Sequence, residues 1–167
     1  MASVSGSVQY SFLCGLRGYH EYKEIWKPEV GEIISCIYER NNPVDRYAIA
    51  ATKLLPGRLA NVTIGHLPRE ISRFTRFLIS RGADVFVTVR DSHHRRSPLV
   101  QGGLEIPVKL TVRMEAASEN NQAVERFKEL VQRHYKEPTN GKFDDCTKEV
   151  LSDKFEEESS DEEIDVS

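Results

Sequence analysis

The sequence predicts a mainly β domain of α+β character, a small closed barrel of about six strands with one inserted helix. Three observations carry that expectation. Short apolar runs with period-two alternation recur through the first two thirds of the chain. One segment of helical period stands between the fourth and fifth of them. Glycine and proline punctuate the connections. Residue patterning alone leaves open a different small barrel or a partly open α+β sheet.

The elements follow in order. Val8, Tyr10, Phe12 and Cys14 share one face of a first strand over 8–14. A second strand covers 33–39. Asn42-Pro43 then forces an extended entry into a bend, because proline locks its own φ and restricts the residue before it. Asp45 stands where a side-chain oxygen caps the turn or faces a ligand. The third strand, 47–53, resumes with Tyr47-Ala-Ile-Ala-Ala-Thr52. After Pro56-Gly57 a fourth strand covers 62–64, and Gly65 is expected to supply a positive-φ kink. Pro68 suits the first turn of a helix over 68–80. Ile71, Phe74 and Leu78 face inward there, with Phe77 or Ile79 as further candidates, and Arg81-Gly82 ends it. Val85-Phe-Val-Thr-Val89 marks a fifth strand over 84–89. A polar loop over 90–103 leads to the closing strand, 104–114, where Pro107 argues for an edge position or a bulge. A second helix over 118–135 carries Val124, Phe127, Leu130 and Val131 as one apolar stripe, which must bury against the barrel or a partner. Pro138-Thr-Asn-Gly141 breaks the chain, and 143–155 holds at most one marginal helix. Beyond it, Glu156-Glu-Glu-Ser-Ser-Asp-Glu-Glu163 is too charged to bury a core and reads as disordered. The expected organisation is a flexible N-terminus (1–7), a barrel (8–114), an amphipathic helix (118–136), and a linker with an acidic disordered tail (137–167).

Two stretches stand out. Glu39-Arg-Asn-Asn-Pro-Val-Asp-Arg-Tyr-Ala-Ile-Ala-Ala51 is followed by Ile64-Gly-His-Leu-Pro-Arg-Glu70. Together they closely resemble the signature of the HIRAN domain. Phe12-Leu-Cys-Gly-Leu-Arg-Gly-Tyr19 resembles that family's opening strand and glycine turn. Ile33-Ile-Ser-Cys-Ile-Tyr-Glu-Arg40 resembles the strand into the Asn-Pro turn, and Leu104-Glu-Ile-Pro-Val-Lys-Leu110 its closing strand. The likeness spans roughly 8–112, and the agreement of these segments in order makes it specific. It implies an OB-like barrel, a class that binds nucleic acid across one face. It also implies a module that recruits DNA-remodelling proteins to single-stranded 3′ ends.

The resemblance further implies a site. Arg17, Asp45, His66 and Arg69 match positions that line the family's DNA-end pocket. The chemistry suits that role: a carboxylate accepts a hydrogen bond from a terminal sugar hydroxyl, while arginine and histidine donate to phosphates. Asp45 as a turn cap and His66 as a satisfied strand-end histidine are the plainer alternatives. Two positions depart from the family, which places stacking tyrosines where Val44 and Gly18 stand here. Each base stack is worth ~1–3 kcal/mol, so losing both platforms weakens end binding by about two orders of magnitude or more. Tyr19, Tyr47 and Trp26 are candidate replacements, and Tyr19 is grouped with the end-binding set.

Arg69, Arg73 and Arg76 recur at helical spacing, joined by Arg81, Arg90 and Asp91-Ser-His-His-Arg-Arg96. Arg73, Arg76, Arg95 and Arg96 form the expected phosphate-contact patch, since arginine presents a rigid fork of donors; a solvated helix face and a hairpin tip are the plainer readings. Residues 144–167 carry 11 Asp/Glu against 2 Lys, a balance of −9, while residues 1–143 carry 15 against 21 Lys/Arg, a balance of +6. A basic module with an acidic tail suits a nucleic-acid binder carrying its own competitor, or a domain with a solubilising extension. Ser159 and Ser160 each have an acid three residues on, the pattern read by acidophilic kinases.

Several classes find no support. No phosphate-binding glycine loop, nucleophile elbow or paired-cysteine zinc pattern occurs. His93-His94 with His66 lack accompanying ligands, so neither a metal nor another cofactor is expected. No run approaches the ~20 apolar residues of a membrane span, and the N-terminus shows no signal-peptide pattern. Cys14, Cys36 and Cys146 are odd in number and far apart, consistent with a reduced compartment. The expected protein is intracellular, in the nucleus, and non-enzymatic. It binds single-stranded or 3′-ended DNA, or damaged DNA, as a recruitment adaptor with a DNA-processing protein partner. The alternative is a protein–protein interaction module that keeps the barrel and has lost end recognition.

Overall fold

In the computed structural model, which describes residues 6–97 and 103–135, the strands are all antiparallel. The order is β1 (Ser7–Arg17), α1 (Tyr19–Tyr22), β2 (Ile33–Tyr38), β3 (Ile49–Lys53), β4 (Val62–His66), α2 (Arg69–Ser80), β5 (Asp84–Val89), β6 (Arg95–Arg96), β7 (Leu104–Glu115) and α3 (Ser118–His134). Neighbours run β1-β4-β3-β2-β5-β7, and β7 pairs back onto β1, which closes a six-stranded barrel. The short β6 adds to β7 outside the ring. The closure is uneven. β1 and β7 pair continuously from Ser7↔Glu115 to Arg17↔Glu105, whereas β1 and β4 meet at Arg17↔His66 alone. Two of the expected site residues therefore sit at the narrow seam.

Period-two alternation produces the core. Val85, Val87 and Val89 of β5 are buried beside Tyr10, Phe12, Cys14 and Leu16 of β1. Strand β1 runs three residues past the expected end because Gly15 continues the ladder opposite Pro107. A Cβ at Gly15 would lie 2.1 Å from the side chain of Glu105, so a larger residue there would have to push that carboxylate away from Arg95 and Arg17. Gly65 corrects another expectation. It does not adopt positive φ. Its role is close approach: a Cβ there would come 2.6 Å from Leu16 Cγ and 3.3 Å from the Arg17 carbonyl oxygen.

Pro107 likewise departs from expectation, since β7 is an internal strand paired with β1 throughout. On its other side β5 ends at Val89↔Val108 and β6 begins at Arg95↔Glu105, so Pro107 falls in the gap between them. Its carbonyl accepts from Arg90 N at 2.8 Å on that side. In a strand the N–H and C=O of one residue point the same way, so the missing donor faces the gap and no ladder bond is lost.

Helix α2 buries Ile71, Phe74 and Leu78, with Phe77 and Ile79 half-buried. Gly82 at φ 98° ends it: the Gly82 and Ala83 N–H groups donate to the Ile79 and Leu78 carbonyls, each at 3.0 Å. Helix α3 buries its Val124, Phe127, Leu130 and Val131 stripe on the barrel and α2. The Phe127 ring lies 6.0 Å from both Tyr10 and Phe12 and 5.7 Å from Phe74, in edge-on contacts that favour a single packing arrangement. The four-residue α1 and the two-residue β6 were not legible as periodic segments because both are too short to show a period. Residues 1–5, Cys146, the linker beyond Tyr135 and the acidic tail with Ser159 and Ser160 lie outside the described residues. No helix among the described residues is long and apolar enough to cross a membrane.

Candidate functional site

The connection between β2 and β3 is built by asparagine chemistry. Asn41 takes φ 60°, a conformation asparagine tolerates. Asn42 Oδ1 then accepts from the N–H groups of Val44 and Asp45, at 2.8 and 2.9 Å. Asp45 Oδ1 accepts from Tyr47 N at 2.9 Å, so Asp45 is a turn cap. The cap uses only one of its oxygens. Oδ2 has Arg69 Nε at 4.0 Å, beyond hydrogen-bonding distance, which leaves acceptor capacity unused.

Asp45 lines a cleft of about 300 Å³ between this turn, α2 and the C-terminal end of α3. Tyr47, Arg69, Arg73 and His134 contribute to its walls, together with Glu70. Arg69 keeps two thirds of its side chain exposed (67%), free to swing toward a ligand, while Asp45 is mostly covered at 15%. One carboxylate acceptor ringed by guanidinium donors can hold a hydroxyl and an adjacent phosphate together.

Arg17 is placed differently from the expectation that it opens onto the same pocket. Its guanidinium forks onto Glu70, Nη1 to Oε1 at 3.3 Å and Nη2 to Oε2 at 3.0 Å. Tyr135 OH donates to Glu70 Oε2 at 2.9 Å. Arg17 Nε is buried without a hydrogen-bond partner, with Glu105 Oε1 at 4.0 Å. Glu105, only 3% exposed, is shared with Arg95, whose Nε donates to Oε2 at 2.8 Å. Arg17 and Arg95 thus line a second cleft of about 220 Å³, with Tyr135 and His134. Glu70 faces the first cleft and holds the arginine of the second, so the two are electrostatically joined.

These contacts shift proton affinities. Burial pushes the Glu70 carboxyl up, but its own backbone N–H, the charge of Arg17 and the Tyr135 hydroxyl outweigh that and hold it below its ordinary value. Burial, then the neighbouring acidic groups, push the Tyr135 hydroxyl well up, so it remains a donor. Cys36 is pushed up to about 12 by burial, and Cys14 is raised further, so neither buried thiol is a nucleophile near neutrality.

His66 lines neither cleft. Its Nε2 hydrogen-bonds with Glu39 Oε1 at 2.6 Å, and its ring lies 6.4 Å from that of Tyr22. Of the candidate stacking rings, Tyr19 (7% exposed) and Trp26 (2%) belong to the core. The Tyr19 ring packs on Trp26 at 6.0 Å and on His94 at 5.5 Å, with its hydroxyl donated to the Trp26 carbonyl. Tyr47 alone of the three reaches the first cleft. Gly18 takes φ 88°, a conformation any larger side chain would strain.

The basic patch is divided. Arg73 and Arg76 stand beside the first cleft, with guanidinium groups 5.4 Å from the Tyr47 centroid and 4.4 Å from the Tyr38 centroid respectively. Arg95 and Arg96 lie on β6, with Arg95 bound to Glu105. Tyr38, Arg40 and Arg46 escaped sequence reasoning. Their signal was the bracketing of the Asn-Pro turn by two basic residues and two tyrosines. No group of three His, Cys, Asp or Glu that could hold a metal occurs among the described residues.

No family model and no curated protein matches the sequence. Among solved structures, the chain is similar to the crystal structure of the HIRAN domain of human HLTF. The TM-score is 0.53 at 20% identity, covering 77% of this chain and 93% of that one. It also matches the NMR structure of the HLTF HIRAN domain, at TM-score 0.45 and 20% identity over 80% of this chain and 93% of that one. At this identity the likeness concerns the fold, which is that of a HIRAN domain.

Proposed function

We propose that this HIRAN-fold chain is a non-enzymatic module that binds single-stranded nucleic acid at a free 3′ end and recruits a DNA-processing partner to it in the nucleus. The observation that carries the reading is the Asp45 cleft. Its carboxylate keeps one oxygen uncommitted among the guanidinium groups of Arg69 and Arg73. In this reading the terminal sugar hydroxyl donates to Asp45 Oδ2, Arg69 takes the adjacent phosphate, and Tyr47 flanks the terminal base. Arg17 acts one step back, through Glu70, while Tyr19 packs in the core against Trp26 and lines neither cleft. The +6 balance of residues 1–143 supplies the long-range attraction.

Fluorescence anisotropy with single-stranded, 3′-phosphorylated and duplex oligonucleotides tests this reading. The free single strand should bind best. Log affinity should fall linearly with log salt, at a slope of about −0.7 for each phosphate contacted. A flat salt response would remove phosphate contact as the driver. The second reading, a protein-docking module, draws on apolar exposure: Val44 is 73% exposed at the turn, and Ile33 and Ile37 point outward from β2. Salt-independent behaviour toward every oligonucleotide would favour it.

A further inference from the structure

We infer that a strand seated in the Asp45 cleft continues over a second, stacking subsite formed by Tyr38 and Tyr47 among Arg40, Arg46, Arg73 and Arg76. This rests on the nucleic-acid reading above and extends it from the terminal nucleotide to those behind it. Four guanidinium carbons crowd two rings. Arg46, Arg73 and Arg76 lie 5.3, 5.4 and 6.0 Å from the Tyr47 centroid, and Arg76 and Arg40 lie 4.4 and 5.9 Å from that of Tyr38. The Tyr38 hydroxyl donates to the Arg46 carbonyl at 3.0 Å, which fixes the ring against the turn. Among the described residues no carboxylate pairs with Arg40, Arg46 or Arg76.

Arg40, Arg46 and Arg76, gathered here with no paired carboxylate among the described residues, repel one another, and an anion relieves that repulsion. The interleaved rings select which anion. A base stacked on an aromatic ring is worth about 5- to 150-fold in affinity, and an exposed cation–π contact only about 2- to 5-fold. A base therefore displaces a guanidinium from the ring, and the displaced fork finds a phosphate beside it. An acidic peptide would meet the charges but leave the rings unused.

The subsite is continuous with the cleft, because Tyr47 and Arg73 belong to both. Its length follows from α2. Arg69 and Arg76 are seven residues apart, about 10 Å along the helix at ~1.5 Å per residue. At ~3.4 Å per nucleotide that distance covers roughly three nucleotides.

The experiment is a length series of thymidine oligonucleotides with free 3′ ends, about two, six and nine nucleotides long, measured by anisotropy at fixed low salt. The wild-type domain should gain affinity from the shortest to the middle length and then level off. Tyr38→Leu should lose about 5- to 150-fold on the longer oligonucleotides and leave the shortest unchanged. Tyr38→Phe, which keeps the ring, should retain most of the affinity. A wild-type domain that binds the shortest and longest equally overturns the subsite while the end-binding reading stands. So does a Tyr38→Leu loss that is the same at every length, or no loss at all. A wild-type domain that binds no oligonucleotide overturns both.

Discussion

Replacing Glu70 by alanine should destabilise the domain by about 2–4 kcal/mol. The carboxylate receives two hydrogen bonds from Arg17 and one from Tyr135, and hydrogen bonds to charged groups are worth about 1.5–3 kcal/mol each when solvent competes little. The Arg17 and Glu70 side chains are 16% and 19% exposed, so the pair is far better shielded than a surface bridge worth about 0–1 kcal/mol. It is less enclosed than a fully buried pair, whose breaking costs about 3–5 kcal/mol. Removing Glu70 leaves Arg17 with Glu105 alone, at 4.0 Å. Urea unfolding followed by the fluorescence of Trp26, the single tryptophan and a core residue, reads the change directly. Acidification supplies an independent check. Because Glu70 titrates below its ordinary 4.5, its stabilisation is complete above that pH and is lost as pH falls through the lowered value. The gap between wild type and Glu70→Gln should therefore narrow with acid below about pH 4.5. A loss under about 0.5 kcal/mol at neutral pH, or a gap unchanged by acid, would refute the reasoning. If Glu70→Gln remains folded, it should also bind single strands more tightly, since it removes a negative charge from the wall of the cleft.

Asp45→Asn keeps an oxygen for the Tyr47 N–H but removes the charge. It should cost about fivefold on a free 3′ end, the difference of ~1 kcal/mol between a charge-assisted and a neutral hydrogen bond, and little on a phosphorylated end. Equal loss on both ends would leave Asp45 a turn cap only. Phe127→Ala should cost about 3–5 kcal/mol in the same urea assay, because the ring is wholly buried among Tyr10, Phe12 and Phe74. Loss of α3 docking without a stability change would contradict that packing. A chain ending after Lys142 should bind single strands a few-fold more tightly at low salt than the full chain, a gain that shrinks as salt screens both contacts. Phosphorylation of Ser159 and Ser160, adding about −1.5 to −2 charge each, should widen the difference. Identical affinities at low salt would remove the tail as a competitor.

Local patterning was enough for much of the barrel. Val85, Val87 and Val89 alternate in five residues, and Ile71, Phe74 and Leu78 recur at three and four, because a strand and a helix each impose their own period on whichever residues are buried. The Asn-Pro turn was legible for the same reason, its geometry being set by the φ of Pro43 and the side-chain oxygens of Asn42 and Asp45 within five residues. The pattern could not reveal which charges meet. Glu70 reads locally as an acid in the first turn of a helix, ready to face solvent. Arg17 and Tyr135, 53 and 65 residues away, reach it only because β1 closes onto β4 and α3 docks on the barrel. The roles of Gly65 and Pro107 were likewise set by neighbours distant in sequence, Leu16 in one case and the gap between β5 and β6 in the other. The cluster of Tyr38, Tyr47, Arg73 and Arg76 needed α2 laid beside the turn before two rings and their arginines became one surface. Backbone periodicity is a property of adjacent residues, so it is written along the chain; the partner of a charge or a ring is chosen by closure of the barrel, and distance along the chain carries no record of it.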